Sequence, residues 1–138
     1  MLQIESHPYL TQDNLIQIAK DYNIPVTCFS PLGSLSYVSI DMASANDSVL
    51  EQPKIKKISD DIGKTPAQVV LRWGRERGTA IIPKTVKLDR LNENIEIFDF
   101  ELTNGQVELI SSLNCNRRFN DPAVFCKTSF GKFHPIYD

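Results

Sequence analysis

Apolar and polar positions along this chain follow two rhythms, and the switches between them mark strands and helices. Residues 2–5 read as a short strand. Thr11 is suited to cap a helix in which Leu15, Ile18, Ala19 and Tyr22 recur at helical spacing. An apolar run at residues 24–29, holding Val26 and Thr27, reads as a buried strand that stops at Ser30-Pro31-Leu32-Gly33. Residues 34–50 are polar, rich in Ser, Asp and Asn, and lack a period. They read as one long loop, and loops of that length usually accompany function or disorder.

Pro53 opens a helix with Ile55, Ile58 and Ile62 on one face and Gly63 as its stop. Thr65-Pro66 with Gln68 three residues on is a capping-box pattern, and Val69, Val70 and Trp73 follow before Gly78. Residues 79–82 form a short apolar strand closed by Pro83-Lys84-Thr85. Residues 88–97 read as an amphipathic helix, and Thr103 caps another with Val107, Ile110 and Leu113 inward. The tail, residues 114–138, has no period and reads as a loop-like extension. Strands alternating with helices imply a parallel sheet with crossover helices, an α/β fold, of which three strands are visible.

Composition narrows the function classes. The net charge of -2 and pI of about 5.7 give no basic footprint for nucleic acid. No run approaches the roughly 18 apolar residues of a membrane span, and the start MLQIESHPYL lacks the pattern of a secretory signal. Cys28, Cys115 and Cys126 lack the number and spacing of a disulfide framework, so free thiols in a reducing cytosol are expected. Cys28 reads as a buried filler and Trp73 as a packing residue. The two histidines, His7 and His134, are far apart with no cysteine nearby, which argues against zinc. His7, in a turn before Pro8, reads as a loop residue and not as a catalytic base.

Candidate chemistry concentrates in IPKTVKLDRLNEN, residues 82–94. A lysine and a hydroxyl residue stand where a strand ends, and Arg90 follows Lys84 by six positions at the start of a helix. Ligands of parallel α/β folds bind at strand C-termini. The lysine point charge, the arginine fork and the free N–H groups of a helix start suit a phosphate monoester. Asn94, four residues after Arg90, shares its helix face and could read a base edge. The same charges would also serve as plain solvated surface; the full string distinguishes the two readings.

That string resembles the C-terminal signature of the aldo-keto reductase family. The resemblance extends over nearly the whole chain. QIESHPYLTQDNLIQIAKDYNIPVTCFSPLGS (residues 3–34) is similar to the family's sixth and seventh strand regions, and KTPAQVVLRWGRERGTAIIPKT (residues 64–85) to the helix leading into its eighth strand. RRFNDP, residues 117–122, resembles the tail of xylose-reductase-like members. The resemblance implies a (β/α)8 TIM barrel that reduces aldehydes and ketones with NADPH in the cytosol. Residues 1–138 would be its incomplete C-terminal part, strands 6 to 8 with the following helices and the tail.

The family's pattern then implies roles. Lys84 and Arg90 would hold the adenosine 2′-phosphate of NADP(H), with Thr85 helping, and Glu93 and Asn94 would contact the adenine. Gln3 would bond the nicotinamide carboxamide and Phe29 stack on its ring. Ser30, Leu32 and Ser34 would line the pyrophosphate under a belt formed by residues 34–50. Phe29 could equally be core, Ser30-Pro31-Leu32-Gly33 an ordinary turn and Glu93 a helix solvator. Leu2 stands where the family usually has Asn. The family's catalytic Tyr, Asp, Lys and His lie on earlier strands with no matching position, so no catalytic residue is assigned. About 250 residues make such a barrel. The isolated chain is therefore expected to be marginally stable and inactive alone. Three readings follow in order: the C-terminal piece of a complete oxidoreductase acting on a small carbonyl substrate, with RRFNDP hinting at sugars or polyols; a short inactive protein that binds NADP(H) or a complementing chain; a product without function.

Overall fold

The computed structural model describes residues 1–132, 136 and 137; His134 lies outside the described residues. Strands β1 (Leu2–Glu5), β2 (Val26–Phe29) and β3 (Ala80–Ile82) form a parallel sheet in the order β1-β2-β3. Gln3 aligns with Thr27 and Thr27 with Ala80. Parallel neighbours need crossovers. The first is α1 (Asp13–Asp21); the second contains α2 (Pro53–Ile62) and α3 (Pro66–Glu76). Helices α4 (Leu88–Ile95), α5 (Asn104–Ser111) and α6 (Pro122–Phe130) follow β3.

The alternation of strand side chains divides the sheet. Ile4, Val26 and Cys28 bury against Ile16 and Ala19 of α1, with Leu2 and Ile81 packed beside them. Gln3, Thr27, Phe29, Ala80 and Ile82 alternate to the opposite face, where Gln3, Ala80 and Ile82 are exposed. The larger core lies between helices: Ile55 and Ile58 of α2 meet Val69, Val70 and Trp73 of α3 and Ile110 of α5. Trp73 Nε1 donates to the Ser111 hydroxyl at 2.9 Å, which satisfies its polar edge. The Thr65 and Thr103 capping boxes both form, so these two helix starts were correctly read from sequence.

Several expectations require correction. Thr11 does not cap α1: Gln12 stands at the cap with φ 59°, and the Thr11 hydroxyl donates to Asp13 at 2.7 Å. The buried face of α1 is Ile16 and Ala19, while Leu15, Ile18 and Tyr22 are exposed. Strand β2 begins at Val26, not at residue 24. Residues 34–50 are not an irregular loop. They form tight 3-10 turns at Gly33–Ser36, Val38–Ile40, Ala45–Asp47 and Val49–Glu51, which hold Tyr37, Met42 and Val49 inside. Helix α4 ends at Ile95, and its apolar Leu88, Leu91 and Ile95 are 71%, 55% and 68% exposed. The tail is not loop throughout, because α6 occupies part of it, capped by Asp121 with Pro122 at the first turn.

Helix α3 lies close on β3. A Cβ placed on Gly74 would sit 2.9 Å from Ile81 Cγ2. Gly74→Ala is therefore expected to destabilise: overpacking of about 1–3 kcal/mol exceeds the roughly 1 kcal/mol gained from helix propensity. Gly105, in α5, has nothing within 4 Å of its Cβ position. Gly105→Ala should raise stability by about 0.5 kcal/mol. Urea midpoints that rise for both variants would refute the close packing at Gly74.

Candidate functional site

A cleft of about 560 Å³ opens at the C-terminal ends of β2 and β3. The turn after β2 forms one wall with Ser30 and Leu32. The chain leaving β3 forms the other with Lys84, Thr85, Arg90, Glu93 and Asn94. Thr65 and Pro66 at the start of α3 line it as well. The location follows from the parallel sheet, whose strands all deliver their following loops to the same end.

The β3 wall is built as a short turn into α4. The Thr85 hydroxyl accepts the Lys87 backbone N–H at 3.1 Å. Lys87 occupies the cap position of α4 with no side-chain capping bond, so this helix start offers donors to an outside acceptor. Lys84 and Arg90 are exposed, and neither has an ion-pair or hydrogen-bond partner among the described residues. Behind them α4 is pinned to α3. The Gln68 amide donates to the carbonyls of Glu93 and Glu96 at 3.2 and 3.0 Å, and the Glu93 carboxylate accepts from the Thr65 hydroxyl.

The β2 wall is held differently. Ser30 has φ 51°, a left-handed conformation costing a non-glycine residue roughly 1–2 kcal/mol. Its hydroxyl lies 2.7 Å from the Tyr37 hydroxyl. Gly33 has φ 74°, and a Cβ there would meet Val49 Cγ2 at 2.8 Å. Ser34 is fully buried, and its Oγ has no partner. Gln3, Phe29 and Ser34 do not line the cleft; Gln3 and Phe29 belong to the uncovered face of the sheet. No Tyr or His side chain lines it among the described residues.

Sequence reasoning missed a buried cluster beside the site. Glu5, 1% exposed, ends β1. Its carboxylate accepts the backbone N–H groups of Phe119 and Asn120 at 2.8 and 3.1 Å, and His7 Nε2 lies 3.1 Å away. Arg118 Nη1 is 3.7 Å from the same carboxylate. His7 is thus an interior residue of its turn, with Nδ1 unpartnered. A signal was present in the string Ile4-Glu5-Ser6-His7, where an acid interrupts a strand end. Its partners stand more than a hundred positions away, beyond any local pattern. Among the described residues no group of three or more His, Cys, Asp or Glu is placed to hold a metal.

Comparison with known proteins places this geometry. The sequence profile described as Aldo/keto reductase family matches residues 1–115. An NADH-dependent D-xylose reductase of Candida parapsilosis is 44% identical over 90% of this chain and 39% of its own length. A probable NAD(P)H-dependent D-xylose reductase of Aspergillus oryzae is 42% identical over 99% of this chain and 42% of its own length. The chain thus spans about two-fifths of the length of these curated relatives. Among solved structures, MGS-M4, an aldo-keto reductase from a Medee basin deep-sea metagenome, superposes with TM-score 0.74 at 29% identity, covering 84% of this chain and 39% of its own. Gox0644 in its apo form superposes with TM-score 0.72 at 33% identity over the same shares.

Burial pushes the Tyr37 phenol above its ordinary value near 10, against the opposing hydrogen bond with Ser30. Tyr9 is raised by burial too, against the bond from Gln52. A raised phenol keeps its proton in the folded state after unfolded phenols have lost theirs. The stability it contributes is complete below about pH 10 and falls as pH rises through the folded value. Phenolate absorbance should therefore show a late-ionising component that shrinks in Tyr37→Phe. An identical titration in that variant would contradict the burial.

Proposed function

This chain belongs to the aldo/keto reductase family, and on that premise we propose that it is the NADP(H)-holding part of a carbonyl reductase. The observation that carries this reading is the cleft with Lys84, Thr85, Arg90 and Asn94 on one wall and Ser30 and Leu32 on the other. A phosphate at the Lys84 and Arg90 end would gain a point charge, a bidentate fork and the uncapped start of α4 together. Gln3 and Phe29, on the uncovered sheet face, are assigned to the nicotinamide, and Glu93 and Asn94 to the adenine. A reduced nicotinamide, when bound, supplies a hydride for a carbonyl carbon. The chain's own part is to bind and orient it; we assign no proton donor to the residues of the cleft.

The relatives are named for D-xylose reduction with NADH or with NAD(P)H. A sugar aldehyde is accordingly our substrate class for the complete enzyme, and the choice of NADP over NAD rests on Lys84 and Arg90. Among the described residues no helix is long and apolar enough to cross a membrane. The unpaired Cys28, Cys115 and Cys126 suit a reducing compartment, which we take to be the cytosol.

Specific observations favour a completing partner, either the remainder of a longer chain or a separate one. Apolar Leu15, Ile18 and Tyr22 on α1 and Leu88, Leu91 and Ile95 on α4 are all exposed. The accessible surface, 8427 Å², exceeds the roughly 7,200 Å² expected of a monomer of this mass. Further strands and helices of a (β/α)8 barrel would cover these faces, and the chain alone is expected to be inactive.

Titration calorimetry tests the cofactor reading. The chain should bind NADP⁺ more tightly than NAD⁺. Lys84→Glu should weaken NADP⁺ by about 10- to 100-fold while leaving NAD⁺ little changed. Equal affinity for the two cofactors in the unaltered chain would remove the phosphate assignment.

A further inference from the structure

The tail after α5 returns to the β2 wall of the cleft at three points. Phe119, 1% exposed, stacks on Tyr37 with ring centroids 5.9 Å apart and planes at 18°. The same ring lies beneath the turn that carries Ser30, with its Cε2 3.6 Å from the Cβ position of Gly33. Arg117 Nη2 donates to the Met42 carbonyl at 3.4 Å and its guanidinium lies over the Phe119 ring at 5.3 Å. The tail is itself fixed from below, because the backbone N–H groups of Phe119 and Asn120 end on the Glu5 carboxylate. The path from the buried end of β1 to the cleft is therefore continuous. Glu5 holds Phe119, Phe119 holds the Tyr37 ring, and the Tyr37 hydroxyl holds Ser30 at 2.7 Å in a left-handed conformation it would not keep by itself.

We propose that residues 117–120, locked by Glu5, are a strut that positions Ser30 at the cleft through Tyr37. Tyr37 and Glu5 are then positioning residues for the diphosphate end of a dinucleotide. This inference rests on the cofactor reading given above. Nothing in the path touches Lys84 or Arg90, which stand on the opposite wall. The strut should therefore govern only ligands that reach the turn after β2. It also makes the turn's order depend on the tail even without ligand, since Tyr37 and Met42 have Phe119 as their core partner.

Two ligands separate the ends of the cleft. NADP⁺ spans it; adenosine 2′-monophosphate carries the 2′-phosphate with neither the diphosphate nor the nicotinamide half. Calorimetry on the whole chain should show Tyr37→Phe, which keeps the ring stack, weakening NADP⁺ roughly fivefold and leaving adenosine 2′-monophosphate unchanged. Glu5→Gln should weaken NADP⁺ in the same selective way. Hydrogen exchange without ligand supplies a second readout: amides of residues 30–42 should exchange faster in Tyr37→Phe, while those of α3 do not. NADP⁺ affinity unchanged in Tyr37→Phe, or both ligands weakened alike, overturns the strut. An unaltered chain that binds neither ligand overturns the cofactor reading instead. The exchange data then decide the strut alone, which fails if residues 30–42 exchange at the unaltered rate.

Discussion

A carboxylate cannot stay charged in a protein interior without donors, and Glu5 sits at 1% exposure. Two of the donors that satisfy it are backbone N–H groups of Phe119 and Asn120, so the tail must come back to the end of β1. Because the donors are backbone groups, the bonds fix where the tail passes and not which side chains it carries there. The consequences spread outward. Phe119 is placed under Gly33 and against Tyr37, and the 3-10 turns after β2 acquire an interior. Losing one partner of a buried charge typically costs about 3–5 kcal/mol, a large share of the stability of a domain this size. The carboxylate thus ties the end of the first strand to a tail segment more than a hundred residues away.

The two cores divide the work. The sheet and α1 share a small cluster around Ile4, Val26 and Cys28, while α2, α3 and α5 bury a larger one around Trp73. Helix α3 joins them through Gly74, whose missing side chain lets the helix approach Ile81. Two arginines, Arg72 buried and Arg77 half-buried, reinforce the junctions. Arg77 donates to the Thr11 carbonyl at 2.6 Å and covers Trp73, and Arg72 donates to the Ile97 carbonyl at 3.0 Å. The first ties α3 to the β1–α1 connection, the second to the chain leaving α4. The cleft lies where these rigid pieces converge, and its lining is exposed because the packing is complete behind it.

What could be read from sequence follows the range of the interactions. The capping box read at Thr65 and the cap read at Thr103 are four-residue patterns, and a capping box forms at each. The strand ends at Phe29 and Ile82 are likewise local, which is why the cleft's lining was largely identified from IPKTVKLDRLNEN and Ser30-Pro31-Leu32-Gly33. Helix α1 was misread because its apolar residues outnumber the buried ones, and periodicity cannot say which apolar face is covered. Thr11 was misread because Asp13 competes for its hydroxyl. Residues 34–50 read as loop since 3-10 turns have no period of 3.6, and the buried contacts of Tyr37 and Met42 with Phe119 and of Val49 with the helical core lie outside any local pattern. The acid at Glu5 is visible in the sequence, but its partners Phe119 and Asn120 are not, for the same reason.

The two walls of the cleft differ in a way that matters for any anionic ligand spanning them. Lys84 and Arg90 are long, exposed and unpaired among the described residues, so they can follow an anion and attract it from a distance. They must then give up side-chain freedom on binding, which subtracts from affinity. Ser30 has already lost its freedom: its backbone is held left-handed and its hydroxyl is engaged before a ligand arrives. A wall of that kind adds little attraction but sets orientation at almost no entropic cost. Attraction at one end and fixed geometry at the other suit a reaction in which one part of the ligand is gripped so that another part can be aimed. In the proposed strut the strain at Ser30 is held by the tail, and the tail is held by two of the bonds that satisfy Glu5.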